Sequence, residues 1–262
     1  MTGHLSILLL SLAALAAPAH AIRAEGQEPE FEQVLARTGR SVEIFWHGIS
    51  SVACLESVTQ EKLDARGKVA HRQKSEFDYL IVAGDAETAL TVQESRIPKS
   101  PVRAAAQPML TTSGFPTLLL IFHPRYRDSY RFSPDGAEVS GGQSLQRIRF
   151  AHIPGTRSTS ALALPGRTVP LDLEGVAWVE PETGSIRRIV AGLMSPPEGI
   201  NLRVFQATVE YAPQRFSSST GIAWLPVMAA VDFQTARQHW RNVHRFTGYR
   251  RFSVQVDKAD SK

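Results

Sequence analysis

Eight histidines, one cysteine and a run of arginines near the C-terminus are the residues of this 262-residue chain whose chemistry could exceed packing. His239 and His244 stand five apart, so on one extended strand they face opposite sides and cannot chelate the same metal. His47, His71, His123 and His152 fall in separate elements. No metal and no cofactor is expected: no phosphate loop, dinucleotide-binding glycine motif, H-E-x-x-H pair or G-x-S-x-G elbow occurs. A Ser/His/Asp set assembled across a sheet would leave no sequence signature, but no residue pattern asks for one, and the chain does not read as an enzyme. Cys54, being alone, excludes an internal disulfide and a multi-cysteine metal site, and reads as a small core hydrophobe.

The sharper pattern is apolar. Phe45, Trp46 and Ile49 end one amphipathic stretch, and Leu119, Ile121 and Phe122 belong to a second that is greasy on every side. Trp178, Phe205, Trp224, Phe233 and Trp240 sit in strand-like segments. Either these residues line a cleft for a hydrophobic ligand or they are ordinary core. Taken one by one they read as core; taken as a group the cleft gains support, since a sheet of many strands with only two short helices leaves more trough than its own side chains readily fill. Near the C-terminus, Arg241, Arg245 and Arg251 share parity on an unbroken strand, which would align three guanidinium groups for an anionic headgroup. A solvated strand face is the other reading, and Gly248 can interrupt the alignment.

The elements that must position these residues follow from periodicity. Residues 22–29 are polar and carry Gly and Pro, as a flexible leader does. Phe31, Val34, Leu35, Val42, Phe45, Trp46 and Ile49 then recur at helical spacing, which predicts a leading helix of about five turns. Residues 51–64, 69–82 and 89–97 alternate with period two and are separated by Gly-containing turns, so three antiparallel strands follow with one face covered. Residues 98–113 carry three prolines and read as a loop, while residues 114–124, GFPTLLLIFHP, predict a mid-chain helix ended by Pro124. From Tyr126 short strands resume. They include a pair flanking the turn Ser133-Pro134-Asp135-Gly136, a hairpin over residues 175–192 about Pro181-Glu182-Thr183-Gly184, and a closing pair within residues 238–256. No strand–helix alternation suggests a parallel sheet. The expected fold class is α+β and mainly β: a strongly curved antiparallel sheet of about ten to twelve strands, an incomplete barrel, with both helices on its concave side.

Residues 1–21 read as a signal peptide. An apolar run over residues 5–17 is too short to span a bilayer, and Ala19-His20-Ala21 offers small residues at a cleavage site after Ala21. The expected organisation is signal 1–21, leader 22–29, one domain over 30–256 and a polar tail 257–262. The product is periplasmic or secreted and not membrane-spanning. A net charge of +4 with interspersed acids makes nucleic acid an unexpected partner.

Helix, long meander and mid-chain apolar helix, in that order, resemble the outer-membrane lipoprotein carrier and receptor superfamily, the LolA/LolB-like proteins, and their envelope-stress sensor relatives. The resemblance rests on FEQVLARTGRSVEIFWHGISSVACLESVTQEK, FDYLIV, GVAWVEPETGSIRRI and WRNVHRFTGYRRFSVQV, and covers residues 30–256 as an order of elements. It implies a half-barrel whose apolar hollow binds a lipid, an acyl chain or another hydrophobic small molecule, under helices that act as a lid. The chain departs from the receptors in lacking a lipid-anchoring cysteine, and no arginine here matches the one that closes the carriers' cavity. The alternative is an envelope protein-interaction module with no ligand cavity, which would hold a protein partner at a sheet edge or at the Arg-rich end.

Overall fold

The computed structural model describes residues 27–49, 52–85, 90–100, 112–164, 166–216 and 222–251. The expected signal segment, most of the leader and the polar tail lie outside them. The leading helix α1 spans Gln27–Ile49 and so starts inside the stretch read as leader. Its buried residues Phe31, Val34, Leu35, Val42, Trp46 and Ile49 form the stripe that the spacing predicts, and Thr38, also buried, returns its hydroxyl to the Val34 carbonyl at 2.9 Å.

Twelve strands follow among the described residues: β1 Val52–Leu63, β2 Val69–Asp85, β3 Leu90–Pro98, β4 Tyr130–Ser140, β5 Gln143–His152, β6 Ala161–Leu164, β7 Arg167–Pro170, β8 Leu173–Val179, β9 Ile186–Leu193, β10 Leu202–Arg215, β11 Ile222–Thr235 and β12 His239–Arg251. Ten of them form one curved, unclosed antiparallel sheet in the order β3-β2-β1-β12-β11-β10-β9-β8-β5-β4, and β6 and β7 pair separately. The first long strand is therefore zipped to the last, with Glu56 opposite Phe246 and Val58 opposite His244. Buried residues from every part of this sheet join those of α1 in one core. No helix among the described residues is long and apolar enough to cross a membrane.

Two expectations need correction, while the mid-chain helix is present in 3-10 form, Phe115–Phe122, and is followed by a second, Pro124–Ser129. Pro124 has no N–H to extend the first, and the His123 imidazole instead accepts the Arg125 N–H at 3.2 Å to start the second. Pro134-Asp135-Gly136 is a bulge inside β4, not a hairpin turn: the pairing skips from Pro134 with Ile148 to Ala137 with Gln146. β12 is one strand throughout, so the closing pair does not exist as such within the described residues.

Candidate functional site

Between α1 and the sheet lies a cavity of about 530 Å³. Val42 of α1, Leu119 of the first 3-10 helix, Val52, Ile186, Tyr211 and Leu225 make its floor, all of them buried. Arg37, Arg40 and Ile44 of α1, Glu182 of the β8–β9 turn, and Arg251 at the end of β12 stand at its mouth. The wall on the turn side is held by close packing. Arg37 donates its Nε–H to the Pro181 carbonyl at 2.8 Å, and Gly184, at φ 71°, lies so near the helix that a Cβ there would meet the Arg37 carbonyl carbon at 2.4 Å. The side chains of the described residues thus leave the trough unfilled, with an apolar floor and polar groups at its edge.

Of the residues singled out in the sequence, Phe45, Leu119, Trp224 and Arg251 line this cavity. Trp46, Ile49, Ile121 and Phe122 are core, 0–3% exposed, with Phe122 packed on the Phe132 and Phe150 rings at 5.1 and 6.0 Å. Trp178 and Phe205 border a second hollow of about 340 Å³, where β9 and β10 separate beyond the pair Gln206–Gly192. There the Trp178 indole donates to Glu138 at 2.7 Å and carries the Arg188 guanidinium 3.7 Å over its ring. Phe233 and Trp240 pair across β11 and β12, Trp240 buried beneath the Lys62 ammonium.

The three aligned arginines are divided. Arg241 pairs with Asp232 at 3.1 Å and, like Arg245, is exposed on the outer side, where its neighbour across β1 is Glu61. Near Gly248 the register with β1 slips by one residue, from Leu55 opposite Thr247 to Ala53 opposite Arg250. That slip flips parity, so Arg251 shares its side with its partner Val52, a floor residue, and reaches the cavity mouth with its guanidinium 4.7 Å over Phe216.

Sequence reasoning passed over Arg37, Arg40, Ile44, Glu182 and Tyr211. No pattern in the sequence sets them apart: Ile44, 74% exposed one turn from Arg40, is a single apolar residue on the polar side of α1, which is ordinary for a surface helix.

A charged network lies elsewhere under the sheet. Glu56, fully buried, receives Arg96 through Nε at 2.6 Å and Nη2 at 3.0 Å, and meets His244 Nδ1 at 2.8 Å. His244 Nε2 meets the Thr112 hydroxyl at 2.8 Å, Asn242 donates to that hydroxyl at 3.0 Å, and Glu94 takes the Gly114 N–H at 2.6 Å. Burial pushes the Glu56 carboxyl up, but the hydrogen bonds from His244 and Arg96 outweigh it and hold the pKa below the ordinary value. Hydroxyl, imidazole and carboxylate stand in the order of a hydrolytic triad. Arg96 occupies the carboxylate, Phe115 packs on the imidazole at 4.6 Å, and none of the three residues lines the cavity. What the network does is fasten residues 112–115, the entry to the first 3-10 helix, across β1, β3 and β12. Cys54, buried beside it, has its thiol pushed up to about 12 by burial and is inert.

No protein-family model matches the chain, and no curated protein does. Among solved structures, a DUF1329 family protein from Desulfovibrio piger superposes with a TM-score of 0.50 at 10% identity over 86% of this chain and 95% of that one. The two share a fold. At that identity the likeness to the DUF1329 protein says nothing of ligand or activity. An outer membrane lipoprotein-sorting protein domain of Vibrio parahaemolyticus gives a TM-score of 0.41 at 12% identity, covering 87% and 96% of the two chains. The Pseudomonas aeruginosa MucA/MucB complex gives 0.21 at 10%, covering 83% and 99%.

Proposed function

We propose that the protein binds a hydrophobic ligand, a lipid or an acyl chain, in the cavity between α1 and the sheet, and serves as a carrier or sensor in the cell envelope. The observation that carries this reading is the unfilled volume of about 530 Å³ on an apolar floor. Binding is the burial of alkyl groups against Val42, Val52, Leu119, Ile186 and Leu225, worth about 0.8 kcal/mol per CH₂. The ligand enters tail first and leaves an anionic end among Arg40 and Arg251, both exposed at the mouth, where a bidentate contact to a carboxylate or phosphate is open to them. An envelope location is supported by the signal-like residues 1–21.

Displacement of a fluorescent fatty-acid probe by hexadecanoate, with Ala223→Phe as the partner variant, tests the reading. Ala223 lines the cavity, and a phenyl ring placed there takes up part of its volume and blocks the path of a chain along the floor. The wild-type protein takes up the probe and the variant loses at least roughly tenfold in affinity while keeping its melting temperature. Equal uptake by both proteins, or none by the wild type, would refute the proposal.

A further inference from the structure

The mouth of the cavity carries both signs of charge. Arg37 and Arg40 stand three apart on α1 and so share one of its sides, while Arg251 ends β12. Glu182 is the one carboxylate that lines the cavity among the described residues. Its turn is drawn to the helix next door, since the Arg37 Nε–H goes to the carbonyl of Pro181, the residue before it. Elsewhere on the sheet arginines and acids are matched: Arg72 with Glu61, Arg149 with Asp135, Arg241 with Asp232 and Arg250 with Asp78. At the mouth they are not. Glu182, Arg40 and Arg251 are exposed, and among the described residues none of the three belongs to an ion pair within 4.0 Å. Opposite charges thus border one opening without neutralising each other. A head that is only negative reaches the arginines but stands beside the Glu182 carboxylate, a like charge that costs it affinity.

We infer that the cavity takes an amine-bearing phospholipid, whose acyl chain lies on the floor while its phosphate accepts hydrogen bonds from Arg40 and Arg251 and its ammonium donates to Glu182. This deepens the ligand-binding reading and rests on it. Glu182 then determines specificity, because it attracts a head that carries an ammonium and repels one of the same length that carries only the phosphate.

Displacement of the fluorescent fatty-acid probe compares lysophosphatidylethanolamine with lysophosphatidylglycerol, both carrying a hexadecanoyl chain, on the wild type and on Glu182→Gln, with thermal melts confirming that both proteins are folded. The two lipids share chain and phosphate and differ in the ammonium. The ethanolamine lipid binds the wild type roughly fivefold more tightly at low salt, and the preference disappears in Glu182→Gln while the glycerol lipid binds that variant at least as well as the wild type. Equal displacement by the two lipids, displacement by neither from a wild type that holds the probe, or a preference that survives in Glu182→Gln would overturn the inference and leave the cavity reading standing. Displacement by chainless phosphoethanolamine at the same concentration would also overturn it, because the head alone would then suffice. A wild type that binds neither the probe nor either lipid would overturn the cavity reading itself.

Discussion

At the scale of single residues, Glu56 is where stability and pH meet. A carboxylate enclosed by Arg96 and His244 and shielded from solvent is costly to bury and costlier to remove, because its partners are left behind. Glu56→Gln lowers unfolding free energy by about 3–5 kcal/mol at neutral pH, as measured by urea denaturation. Because the folded pKa lies below the unfolded value of about 4.3, the wild-type contribution is complete above that pH and is lost as pH falls through the folded value. The gap between wild type and variant therefore narrows below about pH 4; a constant gap would show that the charge is not what matters.

At the scale of elements, α1 is held by its buried stripe and by the β8–β9 turn. Trp46→Ala leaves a hole among residues that cannot close over it and costs about 3–5 kcal/mol in a denaturation experiment. Gly184→Ala forces the turn off the helix backbone and adds strain at a left-handed φ, together worth at least about 1–3 kcal/mol, with weaker probe binding because the same turn walls the cavity. Periodicity made much of this legible. The apolar spacing from Phe31 to Ile49 is the buried face of α1, and the break at Pro181-Glu182-Thr183-Gly184 is the turn between β8 and β9. Pairings and slips were not legible. Nothing in alternation reveals that β1 pairs with β12 across the whole chain, or that one extra residue near Gly248 moves Arg251 from the company of Arg241 to that of Val52. The apolar LLLIF run was legible as a helix from Gly114, Pro116 and Pro124, but a run greasy on all sides has no period to tell its type; its 3-10 geometry goes with its shortness and with Pro124.

At the scale of the whole molecule, the described residues form a curved sheet of ten strands covered by one α-helix and two short 3-10 helices, and that cover does not fill the hollow. The expected half-barrel is present. A cavity of fixed volume also predicts a chain-length profile. Affinity for saturated fatty acids rises about fourfold per added CH₂, then levels off once the chain fills the space. Isothermal titration of a homologous series reads both the slope and the break. The most direct measurement is native mass spectrometry of the protein with hexadecanoate, beside Ala223→Phe. The account predicts a one-to-one complex for the wild type that is absent from the variant. A wild type that stays bare, or a variant that carries the same adduct, would contradict it.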